Sequence, residues 1–166
     1  MAVGHSFGSS IVISIALNHP NDASALVLTG YSLTIDFRVV QNLKLEPAVV
    51  HSPSRFLSVP LGYVVMANQT QREHAFYNGA YNPAVARHDF AYEDIVADAE
   101  FGGQATLFHP AVGYTGHVLA ATGAEDNIFC PNGGVPTCET ILGELGTAYK
   151  SGCKQLRDLR GARYGT

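Results

Sequence analysis

The sequence predicts the α/β class: part of a parallel sheet with flanking helices, interrupted by a mostly helical insertion. Three stretches predict it. MAVGHSFGSSIVISIALN at 1–18 runs from an apolar strand end through a tight turn into an apolar helix. ALVLTG at 25–30 and GHVLAATG at 116–123 are short continuous apolar runs ending in glycine, the pattern of strands buried on both faces.

The elements follow in chain order. MAV is a strand end and GHSFG a turn, and the helix from Ser9 to Asn18 is stopped by Pro20. NDAS is a second turn, and ALVLTG completes a βαβ unit, so the sheet is expected to be parallel with a right-handed crossover. Residues 31–114 carry scattered prolines and many aromatics, and no second buried-strand run stands out. They read as a mostly helical block outside the sheet. Within it, NPAVARHDFAYEDIVADAEFGG at 82–103 has a proline near its start and paired glycines at its end, the punctuation of one helix. GHVLAATG then resumes the strand pattern, and Pro136-Thr137 opens a last helix. The expected organisation is a core of residues 1–30 and 115–150, the insertion at 31–114, and a basic tail at 151–166.

Composition narrows the function classes. A hydrophobic content of 46% with 14% charged residues suits a globular protein with a real core. No apolar run reaches the ~18 residues a membrane span needs, and the start lacks the basic-then-apolar order of a signal peptide. The net charge of −4 argues against a nucleic-acid partner. It is unevenly spread: residues 1–149 hold five basic and thirteen acidic side chains, while residues 150–166 hold Lys150, Lys154, Arg157, Arg160 and Arg163 against Asp158 alone. Such an end reads as a solvated tail, a patch for an anionic partner, or sequence foreign to the fold. Cys130, Cys138 and Cys153 are too few for a disulfide scaffold. Cys130 and Cys138 flank a turn-rich loop, so they read as a small disulfide ring or as two free thiols. With the Asn68-Gln69-Thr70 glycosylation triplet they lean towards an oxidising, secretory compartment.

Gly4-His5-Ser6-Phe7-Gly8 carries the chemistry. In a Gly-x-Ser-x-Gly turn between strand and helix, the serine hydroxyl is displayed at the carboxyl end of a parallel strand, and the glycines on either side relieve crowding. The Phe7 backbone N–H, at a helix N-terminus, can donate to a developing oxyanion. The alternative for Ser6 is an ordinary helix N-cap. Tyr31 and Tyr63 are either pocket-lining or packing aromatics. No metal-ligand spacing and no phosphate loop appears, and no cofactor is indicated.

On these residues the chain resembles the α/β-hydrolase superfamily, in its capped, esterase- and lipase-like branch. GHSFGS, its helix and ALVLTG look like the family's nucleophile elbow, following helix and next strand. VLAATGAEDNIFC looks like the later strand whose end carries the triad acid. The resemblance implies Ser6 as nucleophile and Asp126 as acid, with Glu125 as substitute, acting on a small ester-like substrate under a helical cap. It covers about residues 1–148.

The chain departs from the family in one respect that bears on mechanism. The triad order is Ser, acid, His, yet His5, His19, His51, His74, His88, His109 and His117 all precede Asp126. His5 belongs to the elbow itself; His109 and His117 flank the strand before the acid and are the remaining candidates for a base. With the elbow at residue 6, the strands that usually come before it are also missing. The expectation is a fragment of a serine hydrolase, inactive by itself. The alternative is a non-catalytic chain that binds a partner or self-associates through its apolar cap and sheet edge.

Overall fold

The first eighteen residues contain no charged side chain, which leaves packing to decide their structure. The computed structural model describes residues 1–129, apart from 34, 36, 78–80, 104–106 and 124–125, together with Lys154 and Gln155. Strand β1 (Ala2–His5) turns at Ser6 into helix α1 (Phe7–Asn18), and β2 (Ala25–Thr29) returns beside β1 in parallel. Helix α1 ends where the His19 N–H bonds the Ile15 carbonyl at 2.7 Å, one residue before Pro20 removes a donor. Its buried positions are Ser9, Ser10, Val12, Ile13 and Ala16. Two small serines on this face let the helix lie close against the strands.

Strand β6 (His117–Ala121) joins the other side of β2, also parallel, with Leu26 beside Val118 and Leu28 beside Ala120. These four side chains are almost fully buried. The alternate residues Ala25, Val27 and Thr29 are only half-buried, so β2 is not buried on both faces as its apolar run suggested. One face packs on the core and the other is partly covered. Lys154–Gln155 form β7 alongside β6, giving the order β1-β2-β6-β7. Two residues of the expected basic tail thus pair with the sheet.

The chain divides into two units, residues 1–36 with 106–166, and residues 37–105. The second unit is not simply helical. Helices α2 (Phe37–Gln41), α3 (Ala48–His51), α4 (Pro53–Phe56), α5 (Gln69–Phe76), α6 (Pro83–Ala91) and α7 (Asp98–Gly103) accompany an antiparallel sheet of β3 (Leu45–Pro47), β4 (Tyr63–Met66) and β5 (Val96–Ala97). The β-branched pair Val64-Val65 supplies the central strand, and Val65 packs with Ala48 and Phe56. The run 82–103 is not one helix. It starts as its signals require, with Asn82 Oδ1 accepting from the Ala84 N–H at 2.9 Å and Pro83 in the first turn. It stops at Ala91, because Glu93 is drawn into the interior and Val96-Ala97 pairs with β4. Asn68 of the glycosylation triplet is exposed and caps α5, its Oδ1 accepting from the Gln71 N–H at 3.2 Å. Among the described residues no helix is long and apolar enough to cross a membrane. Cys130, Cys138, Cys153, the helix expected after Pro136 and the remaining tail cations lie outside the described residues.

Candidate active site

Ser6 is the one described non-glycine residue with positive φ (φ 51°, ψ −123°). L-residues rarely adopt this backbone, and holding it costs on the order of 1–3 kcal/mol unless the surroundings impose it. Here they do: the Ser6 N–H donates to the Thr29 carbonyl at 2.8 Å, and the Ser6 carbonyl accepts from the Ser9 N–H at 2.9 Å. The residue is half-buried and its hydroxyl makes no capping bond. An ordinary N-cap serine would direct its oxygen to the second or third N–H of the helix, so that reading loses its support. Phe7 opens α1, where backbone N–H groups have no intrahelical acceptor.

The two glycines of the motif are not equivalent. A Cβ on Gly4 would stand 2.5 Å from the Gly8 carbonyl oxygen and 2.6 Å from both Gly8 C and Ser9 Cα, all backbone. Gly4 is therefore where strand and helix touch. A Cβ on Gly8 meets no atom outside its own helix, which corrects the expectation that both glycines relieve crowding.

His5 lies over the end of β2. Its ring carbon Cε1 is 3.0 Å from where a Cβ on Gly30 would sit, and Gly30 has φ 52°. Both reasons call for glycine there. Thr29 Oγ1 donates its single proton to the Gly4 carbonyl at 3.2 Å, so it accepts from His5 Nδ1 at 2.9 Å. The exposed His5 ring is thus an Nδ1–H tautomer tied to the neighbouring strand.

Strand register decides which candidates share the serine's edge. His5 pairs with Thr29 and Thr29 with Ala121, so the carboxyl ends of β1, β2 and β6 come level. The chain leaves β6 two strand spacings from β1, ~10 Å, and reaches Asp126 shortly afterwards. His117, by contrast, pairs with Ala25 at the amino end of the sheet, ~13 Å along the strand from that edge. Register removes it as a base for Ser6. His109 is exposed. Asp126 is engaged locally, its Oδ1 accepting from the N–H groups of Ile128 at 2.9 Å and Phe129 at 2.8 Å, and no hydrogen bond joins it to Ser6. Glu125 lies outside the described residues.

Tyr31 is fully buried, stacked on Phe108 at 6.4 Å and tilted against Phe129 at 6.0 Å. Its part is packing. Tyr63 belongs to the second unit and is exposed. Thr122 escaped the sequence reading: its buried hydroxyl accepts from the Tyr31 N–H at 3.0 Å and donates to the Tyr31 carbonyl at 2.6 Å, joining the ends of β2 and β6. One threonine after a strand carries no signal that could have revealed this. Among the described residues, no three His, Cys, Asp or Glu side chains gather to hold a metal. No protein-family model matches the chain, and no curated protein matches it.

Proposed function

We propose that this chain carries the nucleophile elbow of a serine hydrolase of the α/β-hydrolase type. In it Ser6 would attack an ester-like carbonyl to form an acyl-enzyme, with Phe7 N–H facing the oxyanion and Asp126 the acid of the triad. The observation that carries the reading is the Ser6 backbone, a strained non-glycine turn between a parallel strand and a helix N-terminus, with Gly4 in close contact behind it. A serine used only for capping has no reason to be held there.

In this proposal the base must come from outside the described groups around Ser6, since His117 is at the other end of the sheet and His5 belongs to the elbow itself, its ring turned onto Gly30 and Thr29. Loss of a triad member costs factors of about 10⁴ to 10⁶ in rate, so the chain alone is expected to be close to inactive. The test uses an activated aryl ester with and without added imidazole. Acylation found by mass spectrometry on Ser6, raised by imidazole and absent in Ser6→Ala, supports the reading. Imidazole-dependent turnover that is equal in chain and variant refutes it.

A second reading is favoured by a specific observation. Among the described residues β1 is the outer strand of its sheet, Val3 is 63% exposed, and Ile11 and Ile15 lie outward on α1. A non-catalytic chain that self-associates through this edge would sediment as a defined dimer, and Val3→Lys would return it to monomer.

A further inference from the structure

The second unit holds a group of side chains that the elbow does not use. Glu93 has a side chain only 2% exposed. Its Oε2 accepts from Arg72 Nη1 at 3.1 Å and from the Met66 N–H at 3.3 Å. Its Oε1 has no hydrogen bond and stands 3.9 Å from His51 Nε2. A buried carboxylate oxygen without a donor is costly, and native interiors seldom leave one. Burial accordingly holds this carboxyl above its usual range, against the opposing pull of Arg72.

Glu93 lines a cavity of about 90 Å³ together with His51, Ser52, Phe56, Phe90 and Ala91. The His51 tautomer is decided on its other side. Nδ1 lies 2.5 Å from Glu46 Oε1; a carboxylate only accepts, so Nδ1 carries a proton, and in the neutral ring Nε2 presents a lone pair. With the ring neutral, two acceptors, one of them anionic, face each other across a gap too wide for a direct bond. Arg55, also at the cavity, does not fill it. Its Nη1 and Nη2 donate to the Ala91 and Tyr92 carbonyls, both at 3.1 Å, and its guanidinium lies 4.7 Å above the Phe56 ring.

We infer that this cavity binds a small primary ammonium group, whose N–H donors bridge Glu93 Oε1 and His51 Nε2. The chemistry selects the class. A nitrogen placed between two atoms 3.9 Å apart reaches both at ~2.8–3.0 Å. A cation offsets the buried carboxylate, and the Phe56 and Phe90 rings offer it aromatic surroundings. An anion would be repelled by Glu93, and the described residues supply no third ligand for a metal ion. The volume admits only a few heavy atoms.

The test titrates the full 166-residue chain with methylammonium chloride in mildly alkaline buffer, reading the His51 ring resonances by NMR. Tetramethylammonium provides the same charge without N–H, and sodium chloride controls for ionic strength. Saturable shifts are expected with methylammonium alone. Glu93→Gln should weaken binding about tenfold or more, the loss of one charge-assisted hydrogen bond. Because that variant also disturbs Arg72, benzylammonium serves as a second probe: it keeps the charge and the N–H donors, exceeds a volume that admits only a few heavy atoms, and should give no saturable shift. A non-saturating response, or an equal response to tetramethylammonium or benzylammonium, overturns the inference.

Discussion

Replacing Gly4 by alanine should destabilise the protein, while the same replacement at Gly8, four residues on in the same motif, should not. At Gly4 the new methyl falls 2.5–2.6 Å from three backbone atoms of Gly8 and Ser9. None of them can rotate away, and ordinary carbon contacts lie at ~3.5–4.0 Å. Strand β1 and helix α1 must therefore separate by roughly 1 Å, in a place where the Ser6 N–H and carbonyl are both already bonded. Overpacking of this kind costs about 1–3 kcal/mol, a large share of a total stability of ~5–15 kcal/mol. At Gly8 the methyl meets nothing outside α1, and alanine is the better helix former by up to ~1 kcal/mol. Urea unfolding followed by far-UV circular dichroism measures both. The expected midpoints move in opposite directions, down for Gly4→Ala and level or up for Gly8→Ala. Equal losses at the two positions, or a neutral Gly4→Ala, would refute the claim that strand and helix touch at Gly4.

Other outcomes follow from the same geometry. Arg72→Met removes the bidentate contacts to Asp89 (2.7 and 2.9 Å) and the contact to Glu93, leaving a buried carboxylate without its cation. A loss of about 3–5 kcal/mol is expected in urea unfolding, and one below ~1 kcal/mol would contradict the buried pairing. Asp89, hydrogen-bonded and attracted by Arg72, has its carboxyl held below the usual range. Its contribution is thus present above the ordinary aspartate pKa and is lost as pH falls through the lowered value, and Asp89→Asn should flatten that part of the acid limb. Glu93, raised by burial, acts in the opposite sense. Its ionisation opposes folding above its raised pKa, and this penalty lifts as pH falls through it, so Glu93→Gln should gain least at acid pH. Thr122→Val strips two bonds from the Tyr31 backbone and should cost about 1–3 kcal/mol by thermal unfolding.

Much of the first unit was legible from residues that act within a few positions of each other. The apolar run after GHSFG, Pro20, and the glycine after ALVLT mark β1-α1-β2 because helix stops and tight turns are local events. Asn82-Pro83 marks the start of α6 for the same reason. The end of that helix was not legible, since it depends on Glu93 meeting Arg72 and Met66 from distant parts of the chain. The three-stranded sheet was missed because strands of two to four residues are shorter than any periodicity can reveal.

The amino-acid order by itself determined that a serine would sit in a tight turn between a strand and a helix. It determined equally that every histidine would precede Asp126. Tertiary structure decided the rest of the site. Parallel register carried the end of β6 to the serine's edge and His117 to the opposite one, and the bond network made Ser6 a strained turn rather than a cap. Strand register and burial are settled by partners far away in sequence, and one chain read in order shows the partners without showing which of them meet.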